Sequence, residues 1–343
     1  MNWSERLAAL GLWRRRVVLG YWLLALLALP LSAATPVLPS PRVPVTAVAF
    51  SPNGTNLLAG GSHKIRIHQI NGTSTDWPCP FPKITGLAFS PDGQTLAISG
   101  GSPGVEGGAL LFSWPQGAML DCITNHGDVA TAVAFHPQAG LLATAGADGV
   151  VQVLRWPQLK AVHTLKGHSG PVLAAAFSPD RQHLVTAGAD RSIKIWDVAA
   201  GTLRRSLNQH TDTVHCLAFR PSAPSPDATA AFCASGSQDK TVRVWQPAIG
   251  RLVRIIRGQE GPVLAVTWHP LQPWLYAAGT DGIVRIIDAD SDQLLQQWTA
   301  HQDWIYSLAV SADGTRLATA DWAGVVKIWD ARSGMPTLIQ ELR

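Results

Sequence analysis

Three residue sets in this sequence have the types that hydroxyl chemistry, metal binding or phosphate binding would need. His168, Thr186 and Asp190 supply an imidazole, a hydroxyl and a carboxylate, the components of a nucleophilic relay. The set recurs at matched positions as His210, Ser235 and Asp239, and each copy ends on a tryptophan six residues after the aspartate, Trp196 and Trp245. A catalytic triad needs one exposed nucleophile beside an oxyanion site, so a set repeated along the chain reads as structural. The eleven histidines contain no His-Glu-x-x-His spacing, and Cys79, Cys122, Cys216 and Cys233 show no Cys-x-x-Cys pairing. No dedicated metal site is expected, and no cofactor. Gly100 to Gly108 is glycine-rich but lacks the Lys-Ser/Thr of a phosphate loop and precedes a strand, so it reads as a flexible insertion. His136 and His269 precede prolines in what read as surface turns. Cys216 and Cys233 fall on neighbouring strands, where a disulfide or two small apolar strand residues both fit.

Charge separates the chain into two parts. Of 27 Lys+Arg and 23 Asp+Glu, residues 1 to 43 hold Arg6, Arg14, Arg15, Arg16 and Arg42 against Glu5. The whole net charge of +4 therefore sits there, and the other 300 residues are neutral. A neutral body has no cationic surplus to release counterions, which argues against nucleic-acid binding. Arg14 to Arg16 are followed by an apolar run from Val17 to Leu29, then Pro30 and the small residues Ser32 and Ala34. Basic, apolar and small-residue regions in that order form a secretory signal peptide or, uncleaved, an apolar helical membrane anchor. Residues 1–34 are read as that segment and residues 35–43, with Pro36, Pro39 and Pro41, as a semi-rigid linker. The expected location is outside the cytoplasmic membrane, periplasmic or anchored in it.

From residue 44 to 343 the chain repeats. A short strand phrase ends at Phe50, Phe89, Phe135, Phe177, Phe219, Trp268 and Val310, at intervals of 39 to 49 residues. Each phrase is followed by a polar turn such as Ser90-Pro91-Asp92-Gly93 and by three more strand-like segments. No 3.6-residue apolar period runs through this part. One four-stranded sheet buries too little alone, whereas seven set radially bury their faces against each other. The fold expected is all-β, a seven-bladed β-propeller of four-stranded antiparallel blades preceded by an N-terminal apolar helix. Residues 336 to 342 fit a fourth strand of the last blade, the alternative being a strand borrowed from residues 36 to 43.

Gly167-His168, Asp190 and Trp196-Asp197 make these repeats resemble the WD-repeat family of β-propellers. The resemblance implies that His168, Thr186, Asp190 and Trp196, and likewise His210, Ser235, Asp239 and Trp245, are structural tetrads tying turn to strand. Other repeats depart: Leu154 stands for the tryptophan in repeat three, Gln259, Ala277 and Ile287 interrupt repeat six, and Ala323 stands where repeat seven needs its turn aspartate. The resemblance also implies a non-catalytic scaffold for protein–protein interactions, a monomeric ring whose protein partners the sequence does not identify. The alternative is a propeller enzyme or small-ligand-binding protein using the central channel, although the innermost strands are apolar and small. Trp304 and Trp322 fall in loops that open on one face of repeat seven, beside Asp303 and Asp321. Exposed, they would form a partner-binding hot spot; folded back, they would cover the blade.

Overall fold

The computed structural model describes residues 43–342, apart from 71, 139, 222–230 and 333. The apolar segment and most of the proline-rich linker lie outside the described residues, as does most of the Pro221 to Ala231 insertion. Among the described residues no helix is long and apolar enough to cross a membrane. A single 3-10 turn, Pro247–Ile249, interrupts 28 strands among the described residues.

Those strands form seven four-stranded antiparallel sheets, each built from consecutive chain. They cover residues 47–78, 83–126, 130–166, 172–207, 214–256, 263–299 and 305–342. Blade four shows the pattern: Val172–Phe177, His183–Gly188, Ile193–Asp197 and Thr202–Leu207, in sheet order. The second strands are buried along nearly their whole length, because both faces meet neighbouring blades, whereas the fourth strands are mostly exposed. Thr337–Leu342 pairs with Val326–Asp330, so the last blade is completed by its own chain.

Each first strand packs against the first strand of the next blade, and Ile305–Val310 meets Ala47–Phe50 to close the ring. Hydroxyls fasten this inner circle. Thr46 donates to the Ile84 carbonyl, Thr85 to Ala130 and Thr131 to Val172, while the Val48 N–H donates to Ser307 Oγ at 3.0 Å across the closure. The apolar clusters straddle blade boundaries: Phe177, Leu184 and Trp196 of blade four pack with Leu141, Val151 and Leu165 of blade three. No blade keeps its core if its neighbour is removed.

The glycine-rich stretch is not a flexible insertion. Thr95–Ser102 and Glu106–Ser113 pair rung by rung, Gly100 with Gly108 and Gly101 with Gly107, leaving only a short turn at residues 103–105. Its glycines are there for space, since a Cβ on Gly108 would stand 1.7 Å from the Ile123 carbonyl oxygen. The cysteine juxtaposition is also corrected. Cys216 faces Gly236 and Cys233 faces Phe219, so the two are offset by three residues, about 10 Å along the strands and beyond the reach of a disulfide. All four cysteines are free thiols, and burial pushes Cys216 up to about 12.

Candidate functional site

The two expected tetrads are hydrogen-bonded chains running from strand three to the turn before it. In blade four the Trp196 indole donates to Thr186 Oγ1 at 2.8 Å, and His168 Nε2 lies 2.8 Å from the same hydroxyl. His168 Nδ1 then donates to Asp190 at 2.9 Å. Blade five repeats this through Trp245, Ser235, His210 and Asp239 at 2.8, 2.7 and 2.7 Å. The partners fix the tautomer: the imidazole is neutral, protonated at Nδ1, and accepts from the hydroxyl at Nε2. Burial lowers the pKa of His168 and His210 in spite of their aspartates. Burial alone would raise Asp239, but bonds from Thr241 and His210 outweigh it and hold the carboxyl at about 2. Thr186 and Ser235 are 0% exposed with both hydroxyl positions used. These imidazole–hydroxyl–carboxylate sets tie loops to blades and present no nucleophile to a substrate.

The departing repeats solve the same problem differently. In blade three, His126 spans Thr144 at 2.9 Å and Asp148 at 3.2 Å, with Leu154 in place of the indole. In blade six, the Arg285 guanidinium bridges Asp281 at 2.7 Å and Gln259 at 3.0 Å, only 2% exposed. Blade seven corrects the sequence reading. His301 donates to Asp321 at 2.8 Å and meets Thr319 at 2.6 Å, while Trp329 donates to Thr319 at 3.0 Å. The missing turn aspartate is Asp321, two residues early, at the end of Arg316–Asp321. At 3% exposure it belongs to the interior, not to the surface group in which the sequence placed it.

Because Asp321 works from the strand end, the turn after it is free to carry Trp322 outward. The Trp322 N–H donates to the Trp304 carbonyl at 2.9 Å, and the Trp304 N–H is held by Asp303 at 2.8 Å. Trp304 and Trp322 are 49% and 48% exposed. Between them stands Tyr306, with ring centroids 6.4 Å from Trp304 and 5.4 Å from Trp322. Burial, then Asp303, raises the Tyr306 pKa, which keeps the phenol protonated and able to donate. Three rings thus form one patch on backbone fixed from below, with half-buried Asp303 at its edge. Sequence reasoning missed Tyr306. The signal was its position four residues before the strand end, which Thr46, Thr85, Thr131, Leu173, His215 and Leu264 occupy elsewhere.

His136 and His269 are buried rather than on surface turns. His136 Nε2 donates to the Arg181 carbonyl at 3.0 Å, joining blade three to the first turn of blade four. Among the described residues no cluster of three or more His, Cys, Asp or Glu is arranged to hold a metal ion.

The WD domain, G-beta repeat family matches residues 35–69, 117–154, 159–197, 201–246, 250–288 and 292–330, more than half the chain. The chain belongs to the WD-repeat family. Six repeats match, and the structure adds the seventh blade in 83–126, whose first three strands lie outside the matched segments. Among curated relatives, a nuclear distribution protein PAC1-1 of Uncinocarpus reesii is 26% identical over 37% of this chain and 32% of its own length. Protein Rae1 of Drosophila melanogaster is 32% identical over 37% of this chain and 36% of its own. Polyadenylation factor subunit 2 of Schizosaccharomyces pombe is 35% identical over 30% of this chain and 19% of its own. The matches thus span about a third or less of these relatives' lengths.

Proposed function

We propose that this WD-repeat propeller is a non-catalytic scaffold that holds a protein partner on the blade-seven face, outside the cytoplasmic membrane. The observation that carries the docking face is the Trp304–Tyr306–Trp322 patch: two half-exposed indoles around a phenol, on turns pinned by the His301–Asp321 bond. Rigid aromatic side chains lose little entropy on binding and dominate interface energetics. The chain is similar in sequence to part of each relative above, and the processes in their names are not carried over.

The location rests on residues 1–34, where the basic, apolar and small-residue order supplies an export signal or anchor. N-terminal sequencing of the mature protein from fractionated cells tests it. A start near Thr35 in a soluble non-cytoplasmic fraction, or an intact N-terminus in membranes, supports the reading; an intact chain in the cytosol overturns it. Cross-linking in intact cells tests the scaffold role: a defined protein attached to wild type and absent from the Trp304→Ala, Trp322→Ala double variant supports it. Equal recovery with both overturns the docking face.

A further inference from the structure

The first turn of blade four breaks a local rule. In Ser51-Pro52-Asn53-Gly54, Ser90-Pro91-Asp92-Gly93 and Ser311-Ala312-Asp313-Gly314, the last residue is left-handed, with φ of 69°, 69° and 73°. Glycine adopts that conformation without steric cost. Blade four has Arg181 at the same place, with φ of 66°. Among the described residues five other non-glycine residues, Arg191 at 65° and Lys240 at 62° among them, also have positive φ, so the conformation costs strain without by itself marking a site. The strained turn is also braced: the Arg181 N–H donates to the Ser178 carbonyl at 3.0 Å, and its carbonyl accepts from buried His136 at 3.0 Å. His136 is itself packed edge-on against Phe177, centroids 5.0 Å apart.

Arg181 lines a cleft of about 790 Å³ between blades three and four, with Arg155, His163 and Gln182 among the other walls. Turns joining strands one to two and three to four open here, on the face opposite Trp304 and Trp322. Among the described residues neither the Arg155 nor the Arg181 guanidinium has an ion-pair or hydrogen-bond partner. The acidic neighbours are already engaged. Asp197 Oδ1 accepts from the Ala199 and Ala200 N–H groups, and Oδ2 lies 3.9 Å from Arg204. Buried Asp180 is turned inward onto Ser178, the Gln182 N–H and His183.

We propose that this cleft is a phosphate-monoester site, in which Arg155 and Arg181 neutralise a dianionic phosphate and Gln182 and His163 offer further polar contacts. Arginine's planar fork matches phosphate oxygens two at a time. The volume lies within the range of about 300–1,000 Å³ common for small-ligand sites. A free phosphorylated small molecule and a phosphorylated side chain of a partner present the same group. The site goes beyond the partner face and does not rest on it.

The test uses the full chain, titrated calorimetrically in low-salt buffer with inorganic phosphate, glycerol 3-phosphate and a phosphoserine heptapeptide beside its unphosphorylated form. Saturable phosphate binding is expected, weakened at least about tenfold in Arg181→Gly and in Arg155→Gln. Arg181→Gly installs the residue that three other blades hold, so its melting temperature should equal or exceed wild type while binding falls. Arg155→Gln, at the exposed end of Val150–Arg155, carries the same test without touching the turn. Trp322→Ala should bind phosphate as wild type does, which separates this site from the blade-seven face. Tighter binding of the phosphopeptide than of glycerol 3-phosphate identifies a phosphorylated partner; the reverse order identifies a small molecule. No saturable binding by wild type, or unchanged affinity in either arginine variant, overturns the proposal.

Discussion

His301 Nδ1 and Asp321 Oδ2 are 2.8 Å apart, and this bond is made over a spacing of 20 residues where blade four uses 22 between His168 and Asp190. The shift moves the carboxylate from the turn to the end of the strand, into the place of Gly188 in blade four. Asp321 Oδ1 then takes the Val325 N–H at 2.8 Å, closing the turn that carries Trp322. One relocated aspartate holds the interior of the blade and frees its rim for an aromatic side chain.

Relocating the carboxylate can be reversed. Asp321→Gly should cost about 1–3 kcal/mol, since it leaves buried His301 without its acceptor. Adding Ala323→Asp rebuilds the Gly188–Asp190 arrangement of blade four and should recover most of that loss. Urea unfolding midpoints of the single and double variants decide it; a double variant no more stable than the single would show that blade seven cannot accept the turn aspartate.

Acid should weaken the ring in two stages. His168 and His210 titrate below the ordinary histidine value when folded because they are buried, so the unfolded chain takes up protons that the folded chain refuses. Stability is therefore full above about pH 6.5 and declines as the pH falls below it. Buried His68, held at about 4 by desolvation and then by Arg66, extends that decline. Asp190 and Asp239 are depressed, Asp239 to about 2, so their contribution is present above the ordinary carboxylate range and is lost as the pH approaches 2. Melting temperatures measured across this range should fall on acidification from neutrality; a rise between about pH 7 and 5 would contradict neutral buried imidazoles.

The glycine-rich hairpin makes a contrast within five residues. Gly104 sits at the turn with φ of 69° and open space around it, so Gly104→Ala should cost only about 1 kcal/mol of backbone strain. Gly108→Ala would drive a methyl group into the Ile123 carbonyl and should disrupt blade two far more. Comparable melting temperatures for the two variants would mean that the stretch is a loose loop after all.

The seven-fold architecture was legible because it is written redundantly: a strand phrase recurring at 39 to 49 residues survives the loss of any single residue. The solutions of individual blades were not. Arg285 belongs to no motif in the sequence, yet it is buried and bridges Asp281 and Gln259. Asp321 was hidden because a turn can supply the carboxylate from either end, and here the histidine-to-aspartate spacing is 20 rather than 22. Tyr306 carries no motif; it matters only because two loops distant in sequence place indoles on either side of it. Arg181 could have been noticed as an arginine standing in a glycine position, but only the backbone angle shows that the turn did not change to suit it.

The tryptophans divide by what their loss should do. Trp245 is 1% exposed, donates to Ser235 and packs with Val185, Ile195 and Leu207 of the preceding blade. Trp245→Ala should cost about 3–5 kcal/mol, combining a large cavity with an unfilled hydroxyl acceptor. Trp304 and Trp322 lean on Tyr306 and stay about half exposed, so each alanine variant should cost about 1 kcal/mol or less. Loss of the cross-linked partner in the Trp304→Ala, Trp322→Ala double variant would then reflect a lost surface, because the ring beneath it still melts near the wild-type temperature. A double variant that melts well below wild type would show instead that the two indoles are part of the blade's packing, and the aromatic patch would have to be withdrawn as a docking face.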